Sequence, residues 1–146
     1  MKKFLVVFLL VAAVLGFASC SLMDGIFYPY IGTWENVTTS SLFNVEVSVK
    51  STMTLEKEAF TSVVQMKGAD TEYADISATK GTFIVESKDV TMTTSDVKTA
   101  VDGTLPAEWT ALTGDDVAKG TGEWSLDGDK LTLTFDGTAV VYTKVE

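Results

Sequence analysis

The chain has no histidine, no arginine, one cysteine and two prolines among 146 residues. Each shortage removes a class of function. Without histidine there is no Ser-His-Asp or Cys-His catalysis and no imidazole metal site. A single cysteine excludes an intrachain disulfide and a cysteine-based zinc cluster. Basic charge is scarce too: 11 lysines face 20 acidic residues, for a net charge of -9. Nucleic-acid binding depends on clustered Lys and Arg, so no nucleic-acid partner is expected. The one long apolar run, from Phe4 to Ala18, is shorter than the roughly 20 residues a membrane-spanning helix needs. The length suits one domain.

That run follows Met1-Lys2-Lys3 and ends in Ala18-Ser19-Cys20, the basic, apolar, small-residue order of a secretory signal. Phe17-Ala18-Ser19-Cys20 resembles the bacterial lipoprotein signal, with Phe17 where a Leu-like residue is usual. The resemblance implies a signal peptide over residues 1–19 and a thioether-linked diacylglycerol on Cys20, which becomes the first residue of the mature chain. The competing reading is ordinary cleavage near Ala18 with a free thiol left on the product. Stable anchoring takes about two acyl chains, each buried CH₂ contributing about 0.8 kcal/mol. Ser21 stands where an Asp retains many lipoproteins in the inner membrane, which favours the outer membrane of the envelope. Loss of the leader removes Lys2 and Lys3 and leaves 9 lysines against 20 acids, a net of −11. Attachment to anionic lipid must then come from the acyl chains and not from a basic patch. Residues 20–30 read as a short tether: the 12 residues from Cys20 to Gly32 span about 40 Å when stretched.

The mature chain reads as β structure. Thr occurs 21 times and Val is common, and both suit a pleated surface. Phe43, Val45, Val47, Val49, Met53 and Leu55 alternate with polar residues, as one long bent strand or two strands with a tight break. A strand follows over 59–67 after the turn Glu56-Lys57-Glu58, with a weaker one over 71–78. Residues 81–86 and 89–94 form a hairpin across Ser87-Lys88; 122–126 and 130–135 form another across Asp127-Gly128-Asp129. Asp136-Gly137 turns the chain into a last strand over 138–144. The two hairpins repeat one pattern: Gly81, Phe83, Val85, Val90 and Met92 match Gly122, Trp124, Leu126, Leu131 and Leu133 in spacing. Either a ligand-binding element is duplicated or one hairpin design is reused to fill a barrel. Residues 105–112 read as a short helix, with Leu105, Trp109 and Leu112 on one face, that plugs or lids the open end. The fold class is all-β: an antiparallel up-and-down meander of eight or nine strands closing into a barrel over residues 31–146, with one short helix or loop between the later strands.

Gly32-Thr33-Trp34 at the first strand resembles the Gly-x-Trp start of the lipocalins and their calycin relatives. The chain is similar over residues 30–146 to small bacterial lipocalin-like lipoproteins, although the family's Thr-Asp-Tyr turn is absent. The resemblance implies that Trp34 closes the barrel bottom, that Lys144 replaces the family's basic residue across it, and that the barrel binds a small apolar or amphipathic ligand. Candidate cavity or core residues are Phe43, Val45, Val47, Phe60, Phe83, Val85, Met92, Trp124, Leu126, Leu133, Phe135 and Tyr142. A filled-core scaffold that meets other envelope or host components is the alternative. No cofactor, metal or catalysis is expected. Ser77-Ala78-Thr79-Lys80 matches the Ser-x-x-Lys of penicillin-recognising enzymes by coincidence, since its companion motifs fail in detail. Asp115-Asp116 and Asp127-x-Asp129 read as solvated turns.

Overall fold

The computed structural model describes residues 27–42 and 44–145. The leader, Cys20 and Phe43 lie outside the described residues. A short segment, 27–31, turns with the Ile31 amide donating to the Tyr28 carbonyl, and the rings of Tyr28 and Tyr30 meet edge to face at 6.1 Å.

From Gly32 onward nine strands follow: β1 (Gly32–Leu42), β2 (Val45–Leu55), β3 (Ala59–Gly68), β4 (Ala74–Glu86), β5 (Asp89–Thr99), β6 (Thr110–Ala111), β7 (Ala118–Asp127), β8 (Lys130–Phe135) and β9 (Thr138–Lys144). All pairings are antiparallel. The ladder runs β1-β2-β3-β4-β5-β7-β8-β9 and closes through β9 on β1, so eight strands form the barrel and the two-residue β6 lies outside the ring on β5. Turn chemistry explains the hairpins. Asp136 and Gly137 both adopt positive φ (50° and 76°), the requirement of the tight turn whose twist matches its flanking strands. Gly128 (φ 59°), Ser87 (φ 61°) and Asn44 (φ 64°) serve three other turns.

Pairing register divides inward from outward side chains. Trp34 faces Met53, Met53 faces Ser62, Ser62 faces Thr79, and so on around the ring. The buried residues cluster at one end: Trp34, Leu55, Phe60, Phe83, Val90 and Leu131 are each at most 4% exposed. At that end each turn is tied to a following strand. Glu58 accepts from the Phe83 amide, Lys88 from the Trp124 amide, and Asp129 from the Lys144 amide, at 3.1, 3.0 and 2.8 Å. The opposite end lies at Asn44, the 69–73 loop, the 100–117 excursion and the Asp136-Gly137 turn, and most of its described side chains are half-buried or exposed.

The helix expected over 105–112 does not form. Eight residues are too few to hold a helix without packing along one face, and the backbone bonds sideways instead. The Leu112 amide donates to Ser95 at 2.8 Å, and β6 pairs with Asp96 and Val97. A 3-10 turn at Gly114–Asp116 follows. Nor does this segment cover the barrel mouth. Trp109 lies on the outer face of β4 and β5, its ring between the ammonium groups of Lys80 (4.8 Å) and Lys98 (4.7 Å). Lys98 also donates to the Ala107 carbonyl at 2.8 Å. The outward-facing Ala78, beside Lys98 in the ladder, is buried on this same face.

Candidate functional site

Part of the barrel interior is hollow. A cavity of about 420 Å³ lies above the packed end. Phe60 and Met53 form its floor, Met92 one side, and Leu133, Phe135, Val140 and Tyr142 an apolar wall on β8 and β9. Ser62, Thr79 and Thr94 on β3, β4 and β5 give the opposite wall a row of hydroxyls. Gly120 leaves room beside the Phe135 ring, 3.4 Å from where a Cβ would stand. Ala118 and Lys119 complete the lining, with Lys119 in the outward register position opposite Thr93. The volume lies within the several hundred Å³ usual for small-molecule pockets, and a mainly apolar lining with a few orienting polar groups is their usual chemistry.

The structure separates the candidate residues by height in the barrel. Phe60, Met92, Leu133, Phe135 and Tyr142 line the cavity. Phe83 packs fully within the closed end. Val85, Trp124 and Leu126 also belong to that end, where the Trp124 indole donates to the Ser87 carbonyl at 2.8 Å. Val47 is half-buried nearer the open end. Val45 is a correction: it has the inward parity but is 54% exposed, because it begins β2 beyond the height at which the ring encloses a side chain. Missing from the sequence-based set were Met53, Val140 and the hydroxyl row. Met53 belonged to the alternating run. Ser62, Thr79 and Thr94 gave no signal, since alternation marks polar residues as outward.

The packed end shows what Gly32-Thr33-Trp34 does locally. Gly32 has φ +140°, a conformation side chains rarely adopt, and a Cβ there would stand 3.2 Å from Cε of Lys144. The glycine therefore leaves a lane for the Lys144 stem. Trp34 pairs with Lys144 across the ladder, is 0% exposed, and has the Lys144 ammonium 5.4 Å from its ring centroid. A cation over an aromatic face at an exposed site contributes about 0.5–1 kcal/mol. Lys144→Met, which keeps most of the stem and removes the charge, is expected to lower stability by that amount in urea melts at low salt. A change above about 2 kcal/mol would mean that the ammonium does more than cover the ring.

The chemistry-like motifs are dispersed. Ser77 faces inward and Lys80 outward, so the strand's two-residue period holds the pair on opposite faces. Asp115 and Asp116 lie in the 3-10 turn and Asp127 and Asp129 about the β7–β8 turn, all exposed. Among the described residues, no group of acids is placed to hold a metal ion.

These features define a class: a closed eight-stranded antiparallel barrel, packed at one end and hollow at the other, compatible with a lipocalin-like fold. No protein-family model matches the chain, and no curated protein sequence matches it.

Proposed function

We propose that this chain is a lipid-anchored protein of the bacterial cell envelope, favouring the outer membrane, whose barrel binds a small apolar or amphipathic molecule. The observation that carries the binding reading is the cavity of about 420 Å³ with an apolar wall on β8–β9 facing hydroxyls on β3–β5. Burial of the apolar part of a ligand supplies affinity, and the hydroxyls orient a polar group. The anchoring reading rests on the sequence alone, through Phe17-Ala18-Ser19-Cys20. On this reading the protein holds or ferries its ligand near the membrane and catalyses nothing.

The test is native mass spectrometry of residues 21–146 purified gently from the host. A reproducible added mass that leaves on denaturation is expected. Ser62→Phe, which places a ring in the cavity, is expected to abolish the added mass while the melting transition persists. A clean apo mass, unchanged on adding fatty acids or haem, would instead make the barrel a scaffold that meets other proteins.

A further inference from the structure

The barrel closes through a short seam. β1 and β9 share two paired rows, Trp34 with Lys144 and Glu35 with Thr143, although β1 runs on to Leu42 and β9 begins at Thr138. Along its other edge β1 is paired with β2 from Gly32 to Leu42 without a break. Backbone groups of successive strand residues point alternately to the two neighbours. The Thr33 carbonyl accepts from the Val145 amide, so odd-numbered residues of β1 point toward β9. By that alternation, the amides and carbonyls of Val37, Thr39 and Ser41 face the seam past the last paired row, with no ladder partner among the described residues. On the other bank Val141 is held by a side chain in place of backbone. The Asn36 amide donates to its carbonyl at 2.8 Å, and Thr38 donates to the Asn36 Oδ1 at 3.2 Å. A groove of about 540 Å³ runs along the outside of the paired rows, past Glu35, Thr143 and Val145, and reaches Val37 and Val141 where the open edge begins.

We propose that this open part of the seam takes an extended peptide segment from another polypeptide, which adds as a strand to the β1 edge between Asn36 and Leu42. The backbone specifies an extended segment, because evenly spaced donors and acceptors are met most simply by another strand. Sequence supports it. Sheet edges are usually blunted by Lys, Pro or a bulge, yet residues 36–42 are Asn-Val-Thr-Thr-Ser-Ser-Leu, with no charge and no proline. Val37 and Val141 are 49% and 48% exposed beside the groove, which suits apolar side chains at alternate positions of the guest. The net charge of -9 disfavours an acidic guest.

Amide hydrogen exchange on the full mature chain tests this residue by residue. In the free protein Thr38 and Ser40 are expected to be protected, through β2, and Val37, Thr39 and Ser41 to exchange quickly. The probe is a synthetic peptide of alternating Val and Thr with a Lys at each end. Its addition is expected to slow the three odd-numbered amides by about tenfold or more. Thr39→Pro removes one seam-facing donor and leaves the β2 ladder intact, so it is expected to keep the melting transition and lose the peptide effect. Protection of the odd-numbered amides in the free protein would overturn the proposal, as would their indifference to the peptide. Protection that rises with protein concentration alone would assign the edge to a second copy and overturn it equally.

Discussion

Trp34→Ala is expected to lower the free energy of unfolding by about 3–5 kcal/mol. The indole is fully buried at the closed end, with Met53 opposite on β2 and Lys144 opposite on β9. Its removal leaves a cavity that those neighbours cannot refill, since each is fixed by its own ladder. Domains of this size have about 5–15 kcal/mol in total, so about a fifth or more of the stability goes with one side chain. In urea, with a slope of about 1–3 kcal/mol per molar, the midpoint should fall by about 2 M. Trp109→Ala is the internal control. That ring is half-buried, lies outside the barrel and is held by two exposed-face lysines, so a loss of about 1–2 kcal/mol is expected. Equal losses in the two variants would mean that the closed end is not the barrel's main packing site.

The contrast between the two tryptophans also shows what the sequence could reveal. Gly32-Thr33-Trp34 stands at the head of a strand, and the hairpins at 81–94 and 122–135 carry clean two-residue alternation with turn residues between. Both features are local, and both were legible, as was closure of eight or nine strands into a barrel; the ring holds eight, with β6 outside it. Trp109 sits in a segment whose spacing suits a helix, but the segment's backbone partners lie across a loop on the preceding strand, β5, a pairing that side-chain spacing does not report. The first half of β4 was only faintly readable for a related reason. Between Ala74 and Lys80 the inward residues are Ser77 and Thr79, and the outward ones include Ile76 and Ala78. The usual pattern is inverted there because the interior is a cavity with a hydroxyl wall and the exterior is partly covered by the Trp109 segment. The residues that make the candidate site hollow are the ones that erased its signal. The seam was illegible as well, because the point where β1 and β9 part depends on register accumulated around the whole ring.

A barrel that is hollow at one end needs its packed end to be stiff. Three hydrogen bonds from turns to following strands do this at the closed end, at Glu58, Lys88 and Asp129. None of them involves a cavity-lining side chain, so the floor holds its shape whether or not the hollow end is occupied. Changes at Ser62, Thr79 or Thr94 should therefore alter what the cavity accepts with little effect on folding.

The hairpin repeat leads to the second large effect. Gly81→Ala and Gly122→Ala are each expected to destabilise the barrel by about 2–3 kcal/mol, the upper part of the range for overpacking. A Cβ on Gly81 would collide with the Thr93 carbonyl, and one on Gly122 with the Thr134 carbonyl. The two collisions are equivalent: each glycine opens its hairpin, and each carbonyl lies twelve residues on, at the matching place of the return strand. At Gly81 the ladder also shifts register by a bulge, which bends the strand. A side-chain neighbour would move aside, but a carbonyl already placed in a ladder cannot. Gly120→Ala supplies the comparison, in the same strand as Gly122. Its Cβ would meet only the Phe135 ring, at 3.4 Å, so the change should be neutral or stabilising by up to about 1 kcal/mol through the unfolded chain. Thermal or urea melts of the three variants decide the matter, and a Gly81 or Gly122 variant as stable as the Gly120 one would show that close strand approach is not required. If the ranking holds, the repeat exists because the ring must turn sharply at two places to close, and the same hairpin, with the same glycine, makes both corners. The matching residues divide by height: Phe83 and its counterpart Trp124 belong to the closed end, while Met92 and its counterpart Leu133 both line the cavity, so one hairpin design supplies packing below and lining above.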